Sequence, residues 1–346
     1  MTTSEASPSG RWYSVESARG WGARFLRRGG ILIPFLALLL TLSLASEPFA
    51  TKGNMLNILD QQSATLIIAA AGTLVLVAGG IDLSVGAVYG FAAVTSANLA
   101  LSHSPLWSIV VGIGAGLAVG FANGIVVTVF RINSLIATLA MSFIITGCSS
   151  LMTGGNLIVL FNREAFGDFA RTEFLGVKTL TWTMVAAVLA LALLLAATTA
   201  GRYMYAAGGN AEAARLAGVR VDWTRILTFT LSGTAAGLAG VLDTSNVLTA
   251  QAGNYETLTF TVLAGIVVGG TSILGGEGAV WQTVVGVLFI ALIGNGYVLL
   301  ALDPLYEQIT LGVLLLAAVA LDALARGLLR PGAAVKQLFR RRPRSP

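Results

Sequence analysis

The chain has 346 residues, 55% of them hydrophobic and only 11% charged, with a formal net charge of +5 and a mean hydropathy of +0.82. Soluble domains carry about 25% charged residues, so most of this chain has no water-facing side. A single histidine and a single cysteine exclude a histidine-based catalytic triad, a multi-histidine zinc site and a disulfide framework.

In chain order, residues 1–28 are polar and arginine-bearing, and no small-residue cleavage site follows the first apolar run. They are expected to form a cytoplasmic tail and not a cleaved signal peptide. Ten apolar segments follow, near 30–46, 56–79, 83–101, 106–130, 134–153, 180–200, 223–243, 257–270, 279–300 and 306–327. A spanning helix needs ~20 apolar residues, and several of these runs reach that length. The fold expected is all-α: a polytopic membrane protein of about ten transmembrane helices over 29–328, some glycine-broken, followed by a basic cytoplasmic tail at 329–346.

Charge sets the orientation. With both termini inside, 17 of the 21 Lys and Arg residues fall on inner segments, leaving only Lys52, Arg163, Arg171 and Lys178 outside. That asymmetry follows the positive-inside rule. The tail "RRRPR" (340–344) is therefore expected to rest on anionic lipid headgroups, and nucleic acid is not an expected partner. His103, between Ser102 and Ser104 in a short turn, reads as a solvated loop residue, and Cys148 lies inside an apolar segment.

Asp82 is the only acidic or basic residue between Gln61 and His103. Residues 64–101 are about twice the length of one span, so a turn near their middle is required. Two readings of that turn stay open. In one, Gly79 and Gly80 end a helix and Asp82 or Ser84 N-caps the next. In the other, the break lies deeper and Asp82, Ser84 and Asn123 line a polar translocation path, since a carboxylate at membrane depth is expensive without a role. A second break, "VVGGTSILGGEGAV" (267–280), repeats the pattern with Gly269, Gly270, Gly275 and Gly276. "GIGAGLAVGFANG" (112–124) and "SGTAAGLAG" (232–240) place small residues three and four apart, a spacing that lets helices approach closely.

The outer loop 154–178 mixes apolar residues with Arg163, Glu164, Asp168 and Arg171, and with 244–256 it is expected to dock a soluble lobe. On the inner side, "GGNAEAARLAGVRVD" (208–222) reads as a two-turn helix. Gly208 and Gly209 give a flexible lead-in, Asn210 caps, and Glu212 sits in the first turn, where the helix dipole favours it. Ala213 and Ala214 form a small-residue face, and Gly218 provides the left-handed stop. So short a helix does not persist alone and needs a partner surface.

"EAARLAG" (212–218) is similar to the coupling loop of ATP-binding-cassette importer permeases, without the Leu-Pro that often follows it. With "AGGIDLSVG" (78–86), "NGIVV" (123–127), "GIVVGGTSILGGEGAV" (265–280) and the closing "LD" (321–322), the chain resembles the ribose-type sugar permeases over about residues 30–325. The resemblance implies a multi-pass translocation subunit in a bacterial plasma membrane that imports a monosaccharide and is itself no enzyme. Its implied partners are a second permease copy or paralogue, an ATPase subunit that can be two fused domains, and a periplasmic or lipid-tethered sugar-binding protein. No cofactor is expected on this chain: ATP and Mg2+ belong to the partner ATPase, and none of the three lysines, Lys52, Lys178 and Lys336, follows a phosphate-binding glycine loop. Branched-chain amino-acid or nucleoside permeases are the related alternative. An ion-coupled secondary transporter is the runner-up from another class, and it would need more buried ionisable groups than Asp82 supplies.

Overall fold

The computed structural model describes residues 30–325 except 254 and 304, so Ser4 in the amino-terminal tail and the basic "RRRPR" lie outside the described residues. Among the described residues, ten helices fall one to each apolar segment. They are α1 (Leu32–Ala45), α2 (Lys52–Val77), α3 (Val85–Ala100), α4 (Pro105–Thr128), α5 (Ser134–Thr153), α7 (Thr179–Ala197), α10 (Val221–Val247), α11 (Glu256–Val268), α12 (Val280–Leu299) and α13 (Leu305–Ala325). Three shorter helices lie in the connections: α6 (Glu164–Arg171), α8 (Thr199–Gly209) and α9 (Ala211–Leu216). Six helices, α2, α4, α5, α7, α10 and α12, are long and apolar enough to cross a membrane. The chain is an all-α, multi-pass membrane protein.

Helix α2 runs through the middle of the molecule. Every residue from Thr65 to Ala78 is buried, as befits a helix apolar all round. Helix α10 lies beside it and packs along α4, the two small-residue stripes facing each other. A Cβ on Gly116 would lie 2.7 Å from the Cα of Gly237, and one on Gly120 would lie 2.9 Å from the Cα of Gly233. Spacing alone predicts close approach, and the structure shows that the two stripes are each other's partners. The outer helices α5 and α7 expose most of their apolar surface.

Two boundaries differ from the sequence expectation. Helix α2 starts at Lys52, before the apolar run, because Thr51 caps it by accepting from the Asn54 amide at 3.3 Å. The segment 180–200 is two helices. Thr198 is extended (φ −100°, ψ 164°), ends α7, and caps α8 by accepting from the Gly201 amide at 3.2 Å.

The loop ends also order themselves. On the expected outer side, β1 (Ile158–Val159) pairs antiparallel with β4 (Thr249–Ala250), and β2 (Glu173–Phe174) pairs with β3 (Val177–Lys178). The Lys178 ammonium stands 3.1 Å from the Asp60 carboxylate, tying the loop to α2.

Candidate translocation site and coupling loop

Helix α2 ends in a Schellman turn. The Gly79 amide donates to Leu76 O (2.9 Å) and the Gly80 amide to Val75 O (2.9 Å), with Gly79 at φ +79°. Helix α11 ends in the same way: the Gly270 amide donates to Val267 O (2.9 Å) and the Thr271 amide to Ile266 O (3.2 Å), with Gly270 at φ +100°. A residue with positive φ strongly favours glycine, which explains one member of each Gly-Gly pair. The other members pack closely: Gly80 under the Phe229 ring and Gly269 against α12, where a Cβ would lie 3.0 Å from the Cα of Thr283.

Between α2 and α3, residues 80–84 run without helical structure beside the start of α5. Ser134 Oγ accepts from the Ile81 amide (3.1 Å) and Thr138 Oγ1 from the Leu83 amide (2.9 Å). Asp82 then closes an Asx turn, its Oδ1 accepting from the Ser84 amide (3.0 Å) and the Ser84 hydroxyl (2.6 Å). Its Oδ2 accepts from the Ser232 hydroxyl on α10 at 2.8 Å. The Asn123 side-chain amide on α4 donates to Ser84 Oγ at 2.7 Å, so a donor chain runs from Asn123 through Ser84 to the carboxylate. The structure thus brings Asp82, Ser84 and Asn123 together and adds Ser232, which the sequence reading missed. A serine on a small-residue helix carries no signal of its own. All donors are neutral, and among the described residues no cation pairs with Asp82.

The simple capping account is corrected here. Neither Asp82 nor Ser84 makes a side-chain cap to α3. The one backbone amide that Asp82 reaches is that of Ser84, the cap residue itself. The orphan amide of Gly86 is satisfied from another helix, by Thr259 Oγ1 of α11 at 3.1 Å. Ser84 and Asn123 are fully buried, Asp82 half-buried. The Asn123 Oδ1 is buried with no hydrogen-bond partner among the described residues.

On the expected inner side, α9 forms as the sequence predicts. Asn210 Oδ1 accepts from the Ala213 amide at 3.0 Å, and a Schellman turn closes the helix, Val219 N donating to Ala214 O (2.9 Å) and Gly218 N to Arg215 O (3.0 Å), with Gly218 at φ +84°. Ala214 is buried against Ala207 and Val221, while Glu212, Ala213 and Ala217 face outward and Leu216 is 91% exposed.

The expected flexible lead-in is not what the structure holds. Gly208 and Gly209 continue α8, and Gly208 is wedged against the end of α2 and the second break. A Cβ on Gly208 would lie 2.7 Å from the Gly276 nitrogen and 2.9 Å from the Val77 carbonyl carbon. The Gly276 amide donates to Val77 O at 2.9 Å. Gly275 (φ +87°) and Gly276 (φ +74°) bend the second break so that a Cβ on Gly275 would lie 2.9 Å from the Cα of Gly79. The Arg225 Nε, from the first turns of α10, donates to Ala78 O at 3.4 Å, a cation placed at a helix C-terminus. The expected coupling loop and both glycine breaks therefore share one backbone-to-backbone contact.

At the other face, α6 is pinned to the end of α10. Ser245 Oγ donates to Phe166 O (2.6 Å) and accepts from the Ala170 amide (3.1 Å). Arg171 Nε donates to Asn246 O at 2.6 Å, and Arg163 donates to the carbonyl of Leu101. Both arginines hold backbone. Glu164 and Asp168 are exposed on α6. The structure joins loop 154–178 and segment 244–256 into one surface through the β1–β4 pair.

Comparison with known proteins assigns the family. Residues 54–319 match the model of the branched-chain amino acid transport system permease component. The chain is 33% identical over 313 residues to the ribose import permease protein of Escherichia coli K12, covering 89% of this chain and 98% of that one. It is 36% identical over 294 residues to the ribose import permease protein of Bacillus subtilis (84% and 91% of the two chains). It is 35% identical over 312 residues to the L-arabinose ABC transporter permease protein of Azospirillum brasilense (89% and 91%). No solved structure matches it. The chain therefore belongs to this permease family, in the ribose-type branch that its sequence motifs resemble.

Proposed function

We propose that the chain is the translocation subunit of an ATP-driven, binding-protein-dependent importer of a monosaccharide, a ribose-like pentose or a hexose. It works as a two-permease assembly in a bacterial plasma membrane. ATP and Mg2+ act on a partner ATPase docked at α9, and a sugar-binding protein delivers cargo to the face built by 154–178 and 244–256. The relatives' ribose and arabinose names support the cargo class. Ten spans with both termini cytoplasmic is the topology that the charge asymmetry supports. The shorter helices α3 and α11 rise only about 24 Å and 20 Å, and on this reading the stretches before them complete each crossing.

The observation that carries this reading is the coupling helix. A two-turn helix that holds its own protein through Ala214, while presenting Ala213 and a 91%-exposed Leu216, offers a small, apolar surface to a cleft in a partner. The test is co-purification with the ATPase and ATP-driven sugar uptake by Ala213→Trp and Gly218→Val. The first blocks close approach. The second forces a β-branched residue to φ +84°, which such side chains strongly avoid. Both should reach the membrane at wild-type levels and lose uptake and ATPase. Full uptake would leave the loop a mere connection and raise the secondary-transporter reading. A branched-chain amino acid cargo, after which the family model is named, would show as competition of leucine with sugar uptake.

A further inference from the structure

The Asp82 network is closed, but a cleft opens next to it. Its volume is about 280 Å³, and its lining includes Leu83, Ser142, Thr146, Tyr255, Glu256 and Thr259. Ser142 and Thr146 lie near the middle of α5, whereas Leu83 lies two residues before α3 and Glu256 is the first residue of α11. Two helices thus begin at the depth where a third is at its midpoint, the arrangement in which broken helices frame a substrate at the bilayer centre. Their starts are pressed together: a Cβ on Gly90 would lie 2.7 Å from Tyr255 Cδ2, and the Gly86 amide donates to Thr259 Oγ1 at 3.1 Å.

The lining chemistry is specific. Glu256 makes no hydrogen bond or ion pair among the described residues. It stands in the first turn of α11, where the helix dipole favours a negative group. Glu256 is exposed, so its carboxylate oxygens are open to a ligand in the cleft. Two hydroxyls, Ser142 and Thr146, line the cleft from α5; Ser142 donates to Leu139 O at 2.7 Å and keeps its oxygen lone pairs to accept. Phe143 and Phe260 line the same space, both exposed, as flat apolar surfaces. Ligand pockets start near about 300 Å³, so this one suits a single sugar ring and not an oligosaccharide.

We propose that this cleft is a mid-membrane binding station for the sugar, in which Glu256, Ser142 and Thr146 hydrogen-bond ring hydroxyls while the phenylalanines cover the C–H faces. The station rests on the sugar-import reading and names residues that select among sugars in passage. The test uses the permease assembled with its ATPase and binding protein in proteoliposomes, with radiolabelled D-ribose and L-arabinose as probes. Glu256→Gln and Ser142→Ala should each change the ratio of the two maximal uptake rates by about threefold or more, because a site built for hydroxyls discriminates by their placement. Ser142→Phe, which fills the cleft, should reduce both rates at least ~10-fold. If the Phe variant fails to assemble, the two conservative variants decide. An unchanged ratio in both, whether the rates fall equally or not at all, overturns the station and leaves sugar import standing. A wild-type complex that accumulates neither these pentoses nor the hexoses D-glucose and D-galactose on ATP addition overturns the sugar reading itself.

Discussion

Gly208→Ala tests whether the coupling loop is seated on the glycine breaks, and Gly209→Ala supplies a control one residue away. The added methyl at Gly208 would lie 2.7 Å from the Gly276 nitrogen, 0.7 Å inside the 3.4 Å at which ordinary contact begins, and nearer still to Val77 O. These are backbone atoms, so no side-chain rotation relieves the overlap. Forcing a methyl into a closed site costs about 1–3 kcal/mol. Pushing the joint away also strains or breaks the 2.9 Å bond from Gly276 N to Val77 O, for about 1–3 kcal/mol more if the buried groups go unpaired. At Gly209 nothing lies within 4 Å, so alanine there should change stability by no more than about 0.5 kcal/mol. Thermal unfolding of the purified permease and ATP-driven uptake, measured on both variants, give the comparison. Gly208→Ala should unfold several degrees lower and lose most uptake, whereas Gly209→Ala should match wild type. Two variants indistinguishable in melting and transport would refute the seated contact, and with it the idea that the loop acts directly on the break.

Asp82→Asn keeps an oxygen for the Ser84 turn and can turn its amide toward the Ser232 hydroxyl, so the permease should express normally, lose about 1–2 kcal/mol as charge-assisted bonds become neutral, and transport more slowly; wild-type rates would leave the carboxylate a local brace. Asp82→Leu strands the Ser84 amide and two hydroxyls and should melt well below Asn. Arg171→Glu loses the donor to Asn246 O and should weaken uptake at low sugar with a salt dependence, while Arg171→Gln retains a donor. Recovery in Gln assigns the arginine to holding the loop, and continued salt-sensitive weakness assigns it to docking. For topology, single cysteines at Ser4, Asp168 and Ser345 should react from inside, outside and inside respectively. Native Cys148 is exposed on α5 and must first become serine. Outside labelling of Ser4 or Ser345 would sink the ten-span model.

The elements were legible because their signals are local. Each apolar segment carries one of the ten helices. Asn210 and Gly218 mark both ends of α9 through bonds reaching no further than five residues. Two helix ends read less well: Thr51 starts α2 inside a polar stretch, and Thr198 splits an unbroken apolar run. In both cases a single side-chain oxygen outweighs hydropathy, since satisfying an orphan amide fixes where a helix can begin.

The site was legible as a set of residues and not as an arrangement. A lone carboxylate in an apolar run announces itself, and a buried Asn123 must find a partner, but which hydroxyl answers each depends on helix rotation. Ser232 lies 150 residues from Asp82, and Thr259 lies 173 from the Gly86 amide that it satisfies. Glu256 falls at the end of the expected outer segment 244–256, one residue before the expected span 257–270, and α11 begins on it, against the first turns of α3. Glycine is the extreme case. Gly208 and Gly209 are identical in sequence terms, and the chain reads them together as a supple lead-in. In the fold a Cβ on one would collide with the end of α2 and the second break, and a Cβ on the other would meet nothing within 4 Å. A glycine marks where the backbone can come close or turn left. Only the helix arriving from elsewhere decides whether that freedom is used, so a mechanical contact made of glycines leaves no pattern in the chain that makes it.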